Sequence, residues 1–173
     1  MELFYADHIE QDKATFGSDE SRHIIKSYRK REGDRISFAT GDGFLYEGII
    51  VAISRHALEV EIASKNVQEK VWTGRLHMAV APTKNFSRIE WMVEKMVELG
   101  LDELTPIITD RSERRTWKSD RLARIVKSAA KQSLKCQLPV INKPLPWSEF
   151  LQGIGPDCSF YLGHCEEQEK KQL

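Results

Sequence analysis

The sequence has few of the features that define several large classes of protein. It contains only three cysteines, an odd number with no Cys-x-x-Cys pair, which argues against a disulfide framework or a zinc site. No apolar run approaches the roughly 18 residues of a membrane span. The acidic first residues lack the basic and apolar segments of a signal peptide. These absences predict a cytoplasmic protein with reduced thiols, no bound metal and no membrane contact.

The net charge is zero, but the positive and negative charges are unevenly distributed along the sequence. The 26 basic and 26 acidic side chains cancel over 173 residues. Residues 1–70 carry ten Lys and Arg against thirteen Asp and Glu, whereas residues 111–135 carry nine against two. Such an excess attracts a phosphate backbone with salt-sensitive affinity, although a solvated helix face gives the same pattern. Because the arginines crowd into a loop at a predicted strand end, where open α/β sheets bind ligands, we favour a binding role.

The order of predicted elements indicates two units, residues 1–70 and 71–173. The first has the short strands and glycine turns of a small β-barrel, with strands over 3–5, 35–39, 45–53 and 58–62. A helix over residues 20–28, capped by Ser18 or Asp19, interrupts these strands. Polar residues 64–70 form the expected link between the units.

The second unit alternates strands with helices, which predicts a parallel α/β sheet. We expect strands over 76–81, 104–109 and 159–163, and helices ending at Gly100 and over 119–134 and 147–151. Ser87 and Glu90 predict a capping box, and Gly100 a C-terminal stop. The other face of that helix carries three glutamates that we interpret as a solvated stripe rather than as catalytic carboxylates: Glu90, Glu94 and Glu98.

Several other chemistries have weak support. His164 and Cys165, with Cys158 at a distance, lack metal-ligand spacing, and no cysteine stands in a nucleophile signature. Gly155-Pro156 precedes a predicted strand, whereas nucleotide-binding loops follow one, so we interpret it as a turn. The remaining arginines, lysines and exposed aromatic residues suit nucleic acid better than a small acidic metabolite.

Short motifs in a specific order carry a family resemblance. They are Ser21-Arg22-His23, Ser27-Tyr28-Arg29, Gly33-Asp34, Asp42-Gly43, Lys84, Glu98-Leu99-Gly100, Pro106, Arg111-Ser112-Glu113-Arg114, Ala129-Ala130-Lys131-Gln132-Ser133 and Pro139. In this order the sequence resembles the ribosomal RNA small-subunit methyltransferase E family (RsmE) of the SPOUT superfamily, whose members methylate N3 of a uridine in 16S rRNA. Lys131 stands where that family usually carries Glu, and Lys135 lies near its usual Arg.

The resemblance implies a two-domain α+β and α/β protein, with a PUA-like β-barrel followed by a SPOUT domain that binds S-adenosylmethionine. It further implies a homodimer whose partner is 16S rRNA or the 30S subunit. Its RNA-contacting residues would be Arg22, Arg29 and Arg31 in the barrel, then Lys84, Arg88, Arg111, Arg114 and Arg115, with Gln132 and Lys135 holding rRNA or the flipped uridine. Cationic side chains favour the anion left when N3 loses its proton, and the base must leave its pairing. No catalytic residue is identified.

The sequence departs from this family near its end. The family's Gly-Pro-Glu-Gly-Gly loop and its terminal Leu-Arg-x-Glu-Thr-Ala segment do not occur, which leaves Leu162, Gly163 and His164 as cofactor candidates. We therefore expect an inactive fragment of a longer enzyme, with lowered stability and a tendency to associate. The alternatives are a non-catalytic RNA-binding module and a SPOUT methyltransferase that acts on another RNA.

Overall fold

The first six strands form one sheet, and its two edge strands are consecutive in the sequence. The computed structural model describes residues 2–70, 72–112 and 117–163. Its first elements are β1 (Phe4–Tyr5), β2 (His8–Glu10), β3 (Lys13–Phe16), α1 (Ser18–Lys26), β4 (Arg35–Ala39), β5 (Phe44–Ile53) and β6 (Leu58–Val67). The strand order is β1-β4-β5-β6-β3-β2. Because only residues 6 and 7 separate β1 from β2, the sheet must curl until its edges meet, which confirms the small barrel.

A bulge in β6, opposite Gly48 of β5, contributes to this curl. The pairing of β5 with β6 shifts register between Glu47 and Gly48. A Cβ atom at Gly48 would overlap the carbonyl of Glu61 and the side chain of Val60. Glycine therefore permits the close approach of the two backbones at the bend.

The second sheet is parallel, as the alternating pattern predicted. Its strands are β7 (His77–Val80), β8 (Glu103–Ile108), β9 (Val140–Ile141) and β10 (Leu145–Pro146), and β7, β9 and β10 all pair with β8 in parallel. The helices of this unit are α2 (Phe86–Leu99), α3 (Ser119–Gln132) and α4 (Trp147–Gln152). Since α2 follows β7 and α3 follows β8, both helices begin at the carboxyl edge of the sheet.

Strand β1 contributes to two hydrophobic cores. Leu3 and Tyr5 pack with α2 and α3, whereas Phe4 and Ala6 pack inside the barrel. Successive side chains of a strand point to opposite faces, so a strand of minimal length serves both cores. The barrel and the α/β unit are consequently held together by apolar burial.

Hydrogen bonds fix the barrel to the C-terminal end of α3. The Gln68 side chain donates to the Leu134 carbonyl and accepts from the Cys136 amide, at 2.7 Å each. The Tyr5 hydroxyl donates to the carbonyl of Lys135. Polar groups of the barrel therefore pair with the backbone just beyond the last turn of α3.

Two predicted helix caps are wrong, whereas the predicted stop is confirmed. Gly100 ends α2 with φ of 94°, a conformation that favours glycine. The cap of α2 is Asn85, whose side chain accepts from the Ser87 amide at 3.1 Å, so the Ser87 capping box does not form. Ser18 and Asp19 lie inside α1, which begins after Gly17 without a side-chain cap. The Gly17 amide instead donates to the Asp7 carboxylate at 2.9 Å.

Strand boundaries also differ from the sequence expectation. The sequence did not predict β2 or β3, and β6 continues through residues 64–67, where we expected a link. Those residues pair with the start of β5, so hydrogen bonding rather than burial keeps them extended. The predicted strand over 159–163 is wrong, because these residues are exposed and form no ladder with any described strand.

Replacing Gln68 with Ala should destabilise the protein by about 1 kcal/mol, because two hydrogen bonds between the units are lost. Urea unfolding followed by circular dichroism measures this change. Gln152→Ala, at the exposed end of α4, is the matched control and should stay within about 0.5 kcal/mol of wild type. Equal stability of the two variants would contradict a fastening role for Gln68.

Candidate nucleic-acid interface

Three of the predicted RNA contacts share the carboxyl edge of the second sheet. Lys84 follows β7, Arg88 lies in the first turn of α2, and Arg111 follows β8. All three are exposed. Because parallel strands end at the same edge, their loops bring these cations to one side of the molecule. This edge can attract a polyanion such as an RNA backbone.

Local hydrogen bonds between Thr109 and Ser112 close the turn after β8. The Thr109 amide donates to the Ser112 hydroxyl at 2.9 Å, and the Ser112 amide donates to the Thr109 carbonyl at 3.0 Å. This turn holds Arg111 on its exposed side. Arg114 and Arg115 lie outside the described residues.

One basic side chain beside this edge is neutralised. Arg121, at the start of α3, forms a two-pronged ion pair with Glu90 of α2, one contact of which is 2.8 Å. The Glu90 side chain is only 14% exposed, so our interpretation of it as part of a solvated stripe is wrong. Glu94 and Glu98 instead pair with Lys95 on the helix surface, at 2.9 and 2.8 Å.

Gln132 and Lys135 lie at the opposite end of α3 from this cationic edge. The helix has 14 residues, which separates its ends by about 20 Å. Lys135 borders a cavity of ≈ 300 Å³ beside the barrel, together with Trp72. Sequence reasoning missed Trp72, because a single aromatic residue in a polar segment has no periodic pattern. The predicted contacts thus fall into separate groups.

The barrel arginines lie on α1 and on the turn that follows it. Arg22 is exposed and lies 3.8 Å from the carboxylate of Asp19. Arg29 and Arg31 are also exposed, and the Arg31 amide donates to the Asp34 carboxylate at 2.7 Å. Arg29 adopts φ of 57°, a left-handed conformation that glycine takes at lower energy.

The described cofactor candidates do not form a binding pocket. Leu162 is 61% exposed, and a Cβ atom at Gly163 would meet open space. His164 lies outside the described residues. A cofactor site is normally a concave, mostly apolar pocket that covers its ligand. The residues present therefore do not fit S-adenosylmethionine at this position.

The thiols and the potential metal ligands show no catalytic arrangement within the described ranges. Cys136 is fully buried, and burial together with the charge of Asp42 raises the pKa of its thiol to about 11. It therefore stays protonated and unreactive at neutral pH. No group of His, Cys, Asp and Glu among the described residues could hold a metal ion. No helix in these ranges is long and apolar enough to cross a membrane.

A polar cluster lies on the face of the second sheet that points away from α2 and α3. Asn142 donates to the Thr105 hydroxyl at 2.8 Å and to the Glu103 carboxylate at 2.5 Å. The Thr105 hydroxyl also lies 2.7 Å from His77 Nε2, so its own proton can go to the ring. Burial lowers the pKa of His77, and the Arg75 charge adds to this effect while Glu103 opposes it. His77 is consequently a neutral hydrogen-bond acceptor at pH 7.

Comparison with known proteins supports both halves of this architecture. Residues 70–173 match the family model described as an RNA methyltransferase domain, and residues 16–63 match that of an RNA methyltransferase PUA domain. The structure is similar to a Porphyromonas gingivalis protein described as a probable rRNA-methyltransferase, with 40% identity and a TM-score of 0.81. That match covers 87% of this chain and 63% of the other.

Two further relatives carry more specific names. Ribosomal RNA small subunit methyltransferase E of Bacillus subtilis is 24% identical over 140 residues, which cover 78% of this chain and 54% of that protein. The structure of the Neisseria gonorrhoeae protein of the same name, bound to S-adenosyl methionine, is 23% identical with a TM-score of 0.75. It covers 90% of this chain and 66% of the other, and at this identity it supports the fold alone.

The barrel and the parallel α/β sheet thus correspond to a PUA domain joined to an RNA methyltransferase domain. The chain belongs to the RNA methyltransferase family. The resemblance to the RsmE group is confirmed by the names of its curated relatives. The chain spans about half the length of the first two of these relatives, 54% and 55%.

Replacing Arg29 with Gly should raise the free energy of unfolding by about 1 kcal/mol, because glycine adopts the left-handed conformation without a Cβ penalty. The same change should weaken RNA binding several-fold if Arg29 contacts phosphate. Gln11→Gly is the matched control, since Gln11 is exposed and has φ of 53°. It should stabilise the protein without altering RNA affinity, measured by fluorescence anisotropy. Unchanged affinity in Arg29→Gly would exclude a contact.

The pH dependence of stability should include a contribution from His77. Its pKa is lower in the fold than the ordinary 6.5, so the unfolded chain binds the proton more tightly. Stability is therefore lost as pH falls below about 6.5. The loss between about pH 7.5 and 5.5 should be smaller in His77→Gln, as measured by urea unfolding. An equal loss of stability in wild type and His77→Gln would contradict this contribution.

Proposed function

We propose that this chain is the RNA-holding part of a methyltransferase that acts on ribosomal RNA of the small subunit. The observation that carries this proposal is the joint presence of the two matched domains in one chain. The exposed cations at the carboxyl edge of the second sheet support it, because they lie where such sheets bind ligands. In this proposal, residues 1–70 hold RNA and residues 71–173 carry the substrate side of the reaction.

We further propose that the modified atom is N3 of a uridine in 16S rRNA. The support is the motif order in the sequence and the names of the curated relatives. N3 must lose its proton before it can accept a methyl group, and the resulting anion is stabilised by nearby positive charge. Arg111 and Lys84, which follow adjacent parallel strands, are the described candidates for that charge. N3 is accessible only when the base leaves its pair.

The proposed methyl donor is S-adenosylmethionine, which is bound in the structures of two neighbours. When bound, it supplies an electrophilic methyl group. Leu162 and Gly163 do not form a pocket for it. In this proposal the described cations bind the RNA and orient it. A homodimer acting on the 30S subunit is the proposed assembly, and its ribosomal substrate implies the cytoplasm.

A non-catalytic RNA-binding module is the second candidate. The observation that favours it is the exposure of the residues expected to touch the cofactor, since Leu162 is 61% exposed and Gly163 is also exposed. This candidate predicts salt-sensitive RNA binding by the chain and no methyl transfer by the complete gene product.

The complete gene product should transfer labelled methyl groups from S-adenosylmethionine to 30S subunits or 16S rRNA. Nucleoside mass spectrometry should identify the product as 3-methyluridine. Methylation of a different nucleotide would retain the enzyme class but exclude the proposed target. RNA binding without any methyl transfer would favour the non-catalytic module.

Two variants that each lose one positive charge test the cationic edge in an RNA-binding assay by fluorescence anisotropy. Arg111→Ala should lower RNA affinity and reduce the dependence of log affinity on log salt by about one. Lys95→Ala should change neither quantity, because Glu94 and Glu98 already neutralise Lys95. Identical behaviour of the two variants would exclude a phosphate contact at Arg111.

A further inference from the structure

A cavity of ≈ 300 Å³ lies at the end of the molecule opposite the cationic edge. It is bounded by residues that follow β6 and by the C-terminal ends of α2 and α3. Apolar groups of Trp72, Leu101 and Leu134 line it, and charged side chains occur beside them. A concave apolar surface with a few converging polar groups is the usual form of a binding site.

Trp72 provides a fixed aromatic surface in this cavity. Its six-membered ring packs so closely on α2 that a Cβ atom at Gly100 would lie 2.6 Å from it. The residue nevertheless remains 39% exposed. A ring that is held by the protein and open to solvent can stack with a planar ligand at little entropic cost.

The charges around the cavity are balanced. Lys70 pairs with Asp102, which also accepts the Leu76 amide at 2.8 Å. Burial would raise the pKa of Asp102, but the hydrogen bonds from Lys70 and Leu76 outweigh it and hold the pKa below its usual range. Glu69 and Lys135 contribute one further charge of each sign. A phosphate therefore gains no net attraction, whereas a neutral ring with donors and acceptors at its edge finds partners of both kinds.

The backbone at Leu134 brings an apolar side chain to this cavity. Leu134 has φ of 56°, a left-handed conformation that residues other than glycine adopt at a cost in energy. Its carbonyl is held by Gln68 at 2.7 Å, so the contact with the barrel stabilises this conformation. The wall of the cavity therefore depends on both units of the protein.

We propose that this cavity holds one unstacked nucleobase of an RNA, with its ring on Trp72 and its polar edge toward Glu69 and Lys135. The proposal rests on the proposed RNA-binding function. It adds a second contact at the opposite ends of α2 and α3 from Arg111. Single-stranded RNA is commonly held by such stacking, which tolerates different bases.

Binding of a fluorescein-labelled unstructured RNA of about 12 nucleotides to the 173-residue chain tests this proposal. Trp72→Leu retains apolar packing on Gly100 but removes the aromatic face, and should weaken binding roughly tenfold. Trp72→Phe should bind within about threefold of wild type. Trp91→Leu, which removes a 65% exposed indole from α2, should bind like wild type. Circular dichroism melting should show that all variants fold.

Crosslinking locates the contact independently of affinity. RNA substituted with 4-thiouridine should crosslink to peptides that contain Trp72 or Lys135. Crosslinks confined to other regions, or equal RNA affinity in wild type and Trp72→Leu, would overturn the cavity proposal and leave the proposed function intact. Failure of the wild-type chain to bind any RNA would overturn the proposed function itself.

Competition with free nucleosides shows whether the cavity binds a base within RNA or a free small molecule. Uridine or adenosine should compete only weakly with the labelled RNA, because neither brings a phosphate backbone. Tight binding of a free nucleoside that depends on Trp72 and is unaffected by RNA would assign the cavity to a small molecule and exclude the RNA proposal.

Discussion

The docking of the barrel against the end of α3 is the constraint on which the rest of the structure depends. The Gln68 side chain donates to the Leu134 carbonyl and accepts from the Cys136 amide, both just after α3. The Tyr5 hydroxyl of β1 donates to the Lys135 carbonyl in the same turn. Around these bonds, Leu3 and Tyr5 bury apolar surface against α2 and α3. Because α3 also shares a core with Leu104 of β8, these contacts set the position of the second sheet, and of Arg111 after β8, relative to the barrel.

Ion pairs beside this junction determine which cations remain available to RNA. Lys131 binds the Glu20 carboxylate at 2.8 Å, and Lys127 lies 3.1 Å from Asp7, so these helix charges join the two units. Arg121 is likewise occupied by Glu90. The basic excess seen in the sequence thus divides into structural pairs and a smaller exposed set that includes Arg111. Charge counting alone could not separate them.

Features that depend on a residue and its neighbours in sequence were predictable, whereas features that depend on contacts between distant segments were not. Helix α2 ends at Gly100, whose left-handed backbone conformation favours glycine. A glycine at the end of a helical pattern is visible in the sequence, so this helix end was predictable. The cap at Asn85 was missed because Ser87, two residues later, has an equally suitable side chain. Residues 64–67 were mistaken for a link because most of the segment is polar, yet β5 holds them in the sheet. The cavity beside Trp72 depends on contacts between distant segments, so no local signal could reveal it.

The double packing of β1 has a consequence for how the chain folds during synthesis. Leu3 and Tyr5 leave the ribosome well before α3, but the surfaces that bury them include Val126 and Ala130 of that helix. Until α3 has emerged, Leu3 and Tyr5 lack part of the surface that buries them, even if the strand already pairs with β4. Strand β1 is therefore made well before the helix that encloses it, and its apolar residues wait for that helix throughout the synthesis of the segments between them.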